Sequence, residues 1–162
     1  MASAKHQQIR MLQACLFCSL LTLNSWVLAY DLATTSELKS SHSVAVIEQS
    51  GAYNSAMIAQ RGNGNFSLIG QDGALNEAGV DQYGNGNMAY TLQEGALHEA
   101  NILQQGQYHD ALIIQQGVGQ SASIQQTGIG GSATLLQQGS SQIPASITQY
   151  ARGHMRVQVI QQ

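Results

Sequence analysis

Only 9% of the 162 residues are charged and 6% are aromatic, too few for the mixed charged surface and ring-filled core of an ordinary globular domain. Proline occurs once, at Pro144, and cysteine twice, at Cys15 and Cys18. Both cysteines lie in the apolar run "MLQACLFCSLLTL", which follows Lys5 and Arg10 and precedes "WVLA", with Val27 and Ala29 placed as the −3 and −1 residues of a signal-peptidase site. Residues 1–29 therefore read as a secretory signal peptide. The run is shorter than the roughly 20 apolar residues that a spanning helix needs. Without this segment the chain has no thiol, which excludes disulfides and metal thiolates as sources of stability. Acids are missing from the C-terminal third: all nine precede Ala111, and beyond it stand only Arg152 and Arg156, with His154 between them. Two arginines without interleaved aromatics are no nucleic-acid footprint, so no nucleic-acid partner is expected.

Glutamine and glycine fill the space that charge and aromatics leave. Gln-x-Gly recurs every eleven residues, with its glutamine at Gln49, Gln60, Gln71, Gln82, Gln93, Gln104, Gln115, Gln126 and Gln137. The count then slips by one, past Pro144, to Gln149, and by one more to Gln161, so 142–162 holds the two irregular units. Five residues after each glutamine come Asn54, Asn65, Asn76 and Asn87, then His98, His109, Gln120, Gly131 and Gln142. Seven residues after it the chain places Ala in all but one of the regular units, and nine after it Ile, Val, Leu or Thr. These positions differ by two, so on a β-strand they share one face.

A period of eleven also suits a right-handed helical coiled coil. Seventeen glycines argue against it, since each costs a helix roughly 1 kcal/mol relative to alanine. The spacing instead predicts a strand of about seven residues and a four-residue glycine-containing turn in each unit. Such strands cannot bury their inner face alone. Two units make a strand-turn-strand arch, a 22-residue coil, and coils stack by parallel in-register pairing. The fold class expected is all-β: a parallel, amyloid-like β-solenoid over 43–162, preceded by a mature N-terminal segment at 30–42. In such a stack, amides at the same repeat position lie about 4.8 Å apart and hydrogen-bond along it. The glutamines, with Gln149 continuing the series, and the four asparagines are thus expected to form inward amide ladders.

Catalytic constellations are missing. His98 and His109 share a repeat position and could meet as a metal pair, but no acid or third histidine occupies an inward position nearby, which favours substitution within the asparagine column. The acid pairs Asp72 and Glu77, and Glu94 and Glu99, fall on turns and outward faces, where no pocket raises a pKa. No nucleophile has a positioned base. An enzyme is not expected, nor a cofactor, a metal or a small-molecule substrate.

The in-register repeats, with their inward Asn, Ala, Ile or Val, and Gln, resemble the curlin repeat of the curli functional amyloids of Gram-negative bacteria. "YDLA", "SELKSS", "NMAYTL" and the final "RVQVIQQ" are more similar to the minor, nucleating type of subunit than to the major fibre-forming one. The resemblance implies export by the curli secretion system, attachment at the outer cell surface, and templating of major-subunit polymerisation into biofilm fibres. Its partners would be the major curlin subunit, other copies of itself, and assembly factors at the outer membrane. A monomeric, adhesin-like β-solenoid is the alternative.

Two strands per coil also sort the outward residues. Odd units expose Phe66, Leu68, Met88, Tyr90, Leu92, Leu112 and Ile114, even units mainly Ser, Asn, Glu and Asp. The apolar sheet is thus a candidate partner face. Arg152, His154 and Arg156 form a second candidate, for an anionic surface or an acidic assembly factor, against the plainer reading of charges that limit uncontrolled stacking. Pro144 should sit at a strand margin.

Overall fold

The computed structural model describes residues 42–140 and 142–162; the expected signal peptide and nearly all of the 30–42 segment lie outside them. Seven nine-residue strands come first: β1 (Val44–Ala52), β2 (Ser55–Asn63), β3 (Phe66–Ala74), β4 (Glu77–Asn85), β5 (Met88–Ala96), β6 (Glu99–Gln107) and β7 (Asp110–Val118). Two long ones follow, β8 (Ser121–Gly139) and β9 (Ala145–Gln161), each running through a corner. All pairing is parallel, in the order β1-β3-β5-β7-β8 on one side and β8-β6-β4-β2 on the other, with β9 against β8. Odd and even repeat units therefore occupy opposing walls of a β-solenoid.

Register follows the repeat. Gln49 pairs with Gln71, Gln71 with Gln93 and Gln93 with Gln115 on one wall, and Gln60 with Gln82 and Gln82 with Gln104 on the other. Each coil is therefore 22 residues long. The slips after Gln137 are register shifts: Gln126 pairs with Gln149 and Gln137 with Gln161, with an irregularity at Ile129/Gly131. Pro144 immediately precedes β9, where its missing N–H breaks no ladder bond.

The strands are longer than the seven residues expected, because the parallel ladder does not stop at the glycines. It runs through them and onward, with Leu75 N–H donating to Ala52 O at 3.0 Å and Gly86 N–H to Asn63 O at 2.9 Å. The turn glycines do take positive φ, as at Gly73 and Gly95, both +124°. Their reason is also steric: a Cβ on Gly95 would stand 2.0 Å from the carbonyl oxygen of Gly117 in the next coil. Two corner residues on, the backbone is left-handed again. Four non-glycine residues hold that conformation, Tyr53, Leu75, Leu97 and Tyr108, with φ of 57–60°.

A narrow dry core lies between the walls. Ile69, Ala89, Ala111, Ile113, Ile124 and Leu135 are all buried. Thr91 interrupts the column between Ile69 and Ile113, and its buried hydroxyl has no hydrogen-bond partner among the described residues. Among the described residues the buried apolar core is built of alanine beside branched aliphatic residues, and it holds no aromatic side chain.

Candidate functional site: the amide stack and its open ends

The ladder glutamines from Gln60 to Gln137 are each held twice. Along one wall Gln49 Nε2 donates to Gln71 Oε1, Gln71 to Gln93, Gln93 to Gln115 and Gln115 to Gln137, at 2.6–2.9 Å. Along the other the series is Gln60, Gln82, Gln104, Gln126 and Gln149, at 2.8–2.9 Å. The second Nε2 hydrogen crosses the arch to the backbone of the opposite wall, as from Gln93 to Glu77 O and from Gln104 to Met88 O. Each amide thus ties its coil to the next and one wall to the other. A buried carboxamide is stable only on those terms, since an orphaned donor or acceptor costs about 1–3 kcal/mol. The ladder is polar: donors always point toward the C-terminal coil.

The asparagines bond differently from the amide ladder expected. Asn65 Nδ2 donates to Arg61 O in its own corner and to Gly84 O in the next coil, while its Oδ1 accepts from the backbone N–H of Asn87 at 3.1 Å. Asn54, Asn76 and Asn87 pass their Oδ1 to the next coil in the same way. At the corner the asparagine amide meets backbone carbonyls and the N–H of the next coil, and it bonds to those instead of to the next asparagine. It clips the corner to the coil that follows.

That geometry explains the histidines. His98 Nδ1 accepts from Gln120 N–H at 3.3 Å, which leaves Nε2 as the protonated nitrogen, 3.2 Å from Glu94 O. The neutral ring keeps the asparagine's acceptor toward the next coil and the donor to the corner carbonyl four residues back. His109 Nδ1 likewise accepts from Gly131 N–H at 3.2 Å, whereas its Nε2 has no partner among the described residues. Among these residues no group of three or more His, Cys, Asp or Glu is placed to hold a metal.

Burial pushes both imidazoles below their ordinary value of 6.5, with corner carbonyls opposing the shift. The unfolded chain takes up a proton near 6.5 while the folded one resists it, so this contribution to stability is complete above that pH and is lost as pH falls through the lowered folded-state value. Protonation also removes the Nδ1 acceptor. Denaturation midpoints should therefore fall between pH 7 and pH 5, and the double variant His98→Asn, His109→Asn should flatten that decline.

The walls differ outside. On the odd wall Phe66, Leu68, Tyr90, Leu112 and Ile114 are half-buried and Met88 and Leu92 are exposed. Phe66 and Tyr90 rings meet at 5.4 Å between centroids. The even wall stacks Glu77 on Glu99 and Gly79 on Asn101. At the C-terminal corner Arg152, His154 and Arg156 are all exposed, and His154 and Arg156 line a shallow depression with Gly130, Ser132 and Met155.

Three features escaped the sequence reading. Ser67, where other units carry alanine, accepts from Gln60 and donates to Gln82 Oε1. Tyr53, Leu75 and Leu97 stand exposed at left-handed corners; sequence gave no sign of this, since glycine is the residue expected there. Ala151 did leave a mark, because "QYA" at Gln149–Ala151 replaces Gln-x-Gly.

Comparison with known proteins agrees with this architecture. Residues 44–73 and 68–95 match the family model of the curlin associated repeat, a stretch that runs from β1 to β5. The same register continues beyond it, through the pairing of β6 and β7 with β8. Neither curated proteins nor solved structures gave a match.

Proposed function

We infer, from the curlin associated repeat matched at 44–95 and from the stack that extends it, that this chain is a curli-type structural subunit and that it nucleates polymerisation of the major curlin subunit at the cell surface. One observation carries the reading. Beside β1 and β2 the described residues place no further strand, so a row of backbone groups and two ladder glutamines stand ready for a chain with the same coil. Addition of such a strand is β-augmentation, in which main-chain bonds supply affinity and matched side-chain columns supply specificity. Parallel, in-register stacking of identical columns is also the physics of amyloid.

The remaining roles follow from this reading. Export past the expected signal peptide would bring the chain to the outer surface, where the curli secretion and assembly factors are its partners and the Arg152, His154 and Arg156 corner is the cationic surface it offers them. The apolar wall around Leu92 and Leu112 is a lateral contact in the fibre or with an accessory protein.

The test is seeding. Added at substoichiometric amounts to fresh major curlin monomer, the chain should shorten the lag before thioflavin-positive fibres appear. Leu92→Ser with Leu112→Ser should retain that seeding while reducing fibre bundling. A chain that stays monomeric and leaves the lag unchanged would be an adhesin-like solenoid instead.

A further inference from the structure

We propose that the two ends of the stack are not equivalent: the N-terminal coil, β1 and β2, is the growth-competent end, and it selects a partner whose last coil carries glycine at both corners. This rests on the nucleating reading above and assigns it a direction.

The selection comes from the corners. In this chain the Cβ position of each corner glycine of the Gln-x-Gly series from Gly51 to Gly128 is filled by the carbonyl oxygen of the following coil: Gly73 O lies 1.9 Å from that of Gly51, Gly84 O 1.9 Å from that of Gly62, and Gly117 O 2.0 Å from that of Gly95. No side-chain carbon survives such a contact. A coil laid on β1 and β2 would meet the carbonyls of Gly51 and Gly62 in the same way, so its own two corner residues must be glycine. Ladder polarity agrees. Gln49 and Gln60 pass their Nε2 hydrogens inward along the stack, which leaves their Oε1 atoms facing the added coil, whose glutamines would donate. The bond from Asn76 N–H to Asn54 Oδ1 has its counterpart in Asn54 N–H, which an asparagine of the added coil would take.

The C-terminal coil does not repeat these terms. Ala151 stands where the other corners have glycine, outside the left-handed region, and the positive φ passes to Gly153. One extra residue enters β9 between Arg152 and Met155, opposite Gly130. His154, next to the place where the asparagine column would continue, is exposed, so it gives no inward acceptor. Gln120 Oε1, the last acceptor on the other corner, is buried without a partner among the described residues. Burial does not separate the ends: Ala145, Val157 and Val159 of the C-terminal coil are partly buried against the core, as are Ile47, Ala56 and Ile58 of the N-terminal one. The difference between the ends therefore lies in the corners and the register, not in the apolar cross-section. The chain's own C-terminal coil, with Ala151, fits its own N-terminal coil poorly, so the occupant is a curlin chain with unbroken corners.

End-specific variants test this with the full chain and fresh major curlin monomer as the probe. Ile47→Lys with Ile58→Lys should return the lag to its unseeded length, and Val159→Lys should leave seeding within about twofold of the unaltered chain, both variants keeping a β-type far-ultraviolet spectrum. On the partner side, curlin monomer with alanine at its last-coil corner glycines should not respond to unaltered seeds. Seeding kept by the N-terminal pair, lost in Val159→Lys, or accepted by the alanine-bearing monomer would overturn the assigned direction while leaving nucleation standing. An unaltered chain that never shortens the lag would overturn both.

Discussion

Gly95→Ala is expected to prevent the stack from closing at its middle, at a cost of about 3 kcal/mol or more. Two penalties coincide. With φ of +124° the backbone lies where an L side chain is strained, and the new Cβ would stand 2.0 Å from Gly117 O. Neither can relax alone, because that carbonyl sits on the neighbouring coil, which is pinned by Gln93 and Gln115 through their 2.9 Å bond. Guanidinium denaturation should show the loss. Gly139→Ala is the control: its Cβ meets nothing within 4 Å, so it pays only the conformational strain of its positive φ. Equal costs for the two would refute the steric account.

The second large effect belongs to the ladder. Gln104→Leu removes the acceptor of Gln82 Nε2, the donor to Gln126 Oε1 and the donor to Met88 O. It leaves buried amide groups orphaned on both neighbouring coils. At about 1–3 kcal/mol for each unsatisfied group, partly offset by the buried leucine, a net loss of roughly 2–4 kcal/mol is expected. Gln49→Leu should cost less than about 1 kcal/mol, since Gln49 is exposed at the end coil and bonds along the stack in one direction only. A similar cost at both positions would mean that the ladder does not stabilise the stack as a chain of bonds.

Much of this was readable from periodicity. An eleven-residue spacing of Gln49, Gln60, Gln71 and their successors fixes the coil length, because two-fold alternation and a glycine in every unit leave no other regular structure that buries Ala and Ile on one side. The sorting of Phe66, Leu68 and Tyr90 from Glu77 and Asp81 follows from the same arithmetic. The two slips after Gln137 were legible as insertions: the first lies before β9, where Ala122 already pairs with Ala145, and the second is the register shift at Ile129/Gly131.

What periodicity could not give was the direction of any hydrogen bond. Asparagine and glutamine recur with equal regularity in the first units, and both read as ladders; the corner carbonyls and N–H groups around each asparagine separate them, and those groups come together only once the coils are stacked. The same holds for the histidines. His98 read as a substitution in the asparagine column, and its Nδ1 and Nε2 bond Gln120 N–H and Glu94 O, the counterparts of the Asn87 N–H and Arg61 O that Asn65 bonds.

By itself, then, the sequence determined the solenoid, its 22-residue coil, its two unlike walls and the residues that turn inward, since these depend on local alternation and a repeat that propagates without reference to the rest of the chain. The tertiary structure decided the polarity of the ladder, the clipping of each corner to the next coil and the difference between the two ends. Those properties are contacts between coils, set by whether a carbonyl oxygen already occupies the space where a Cβ would go, and a single coil does not contain that information.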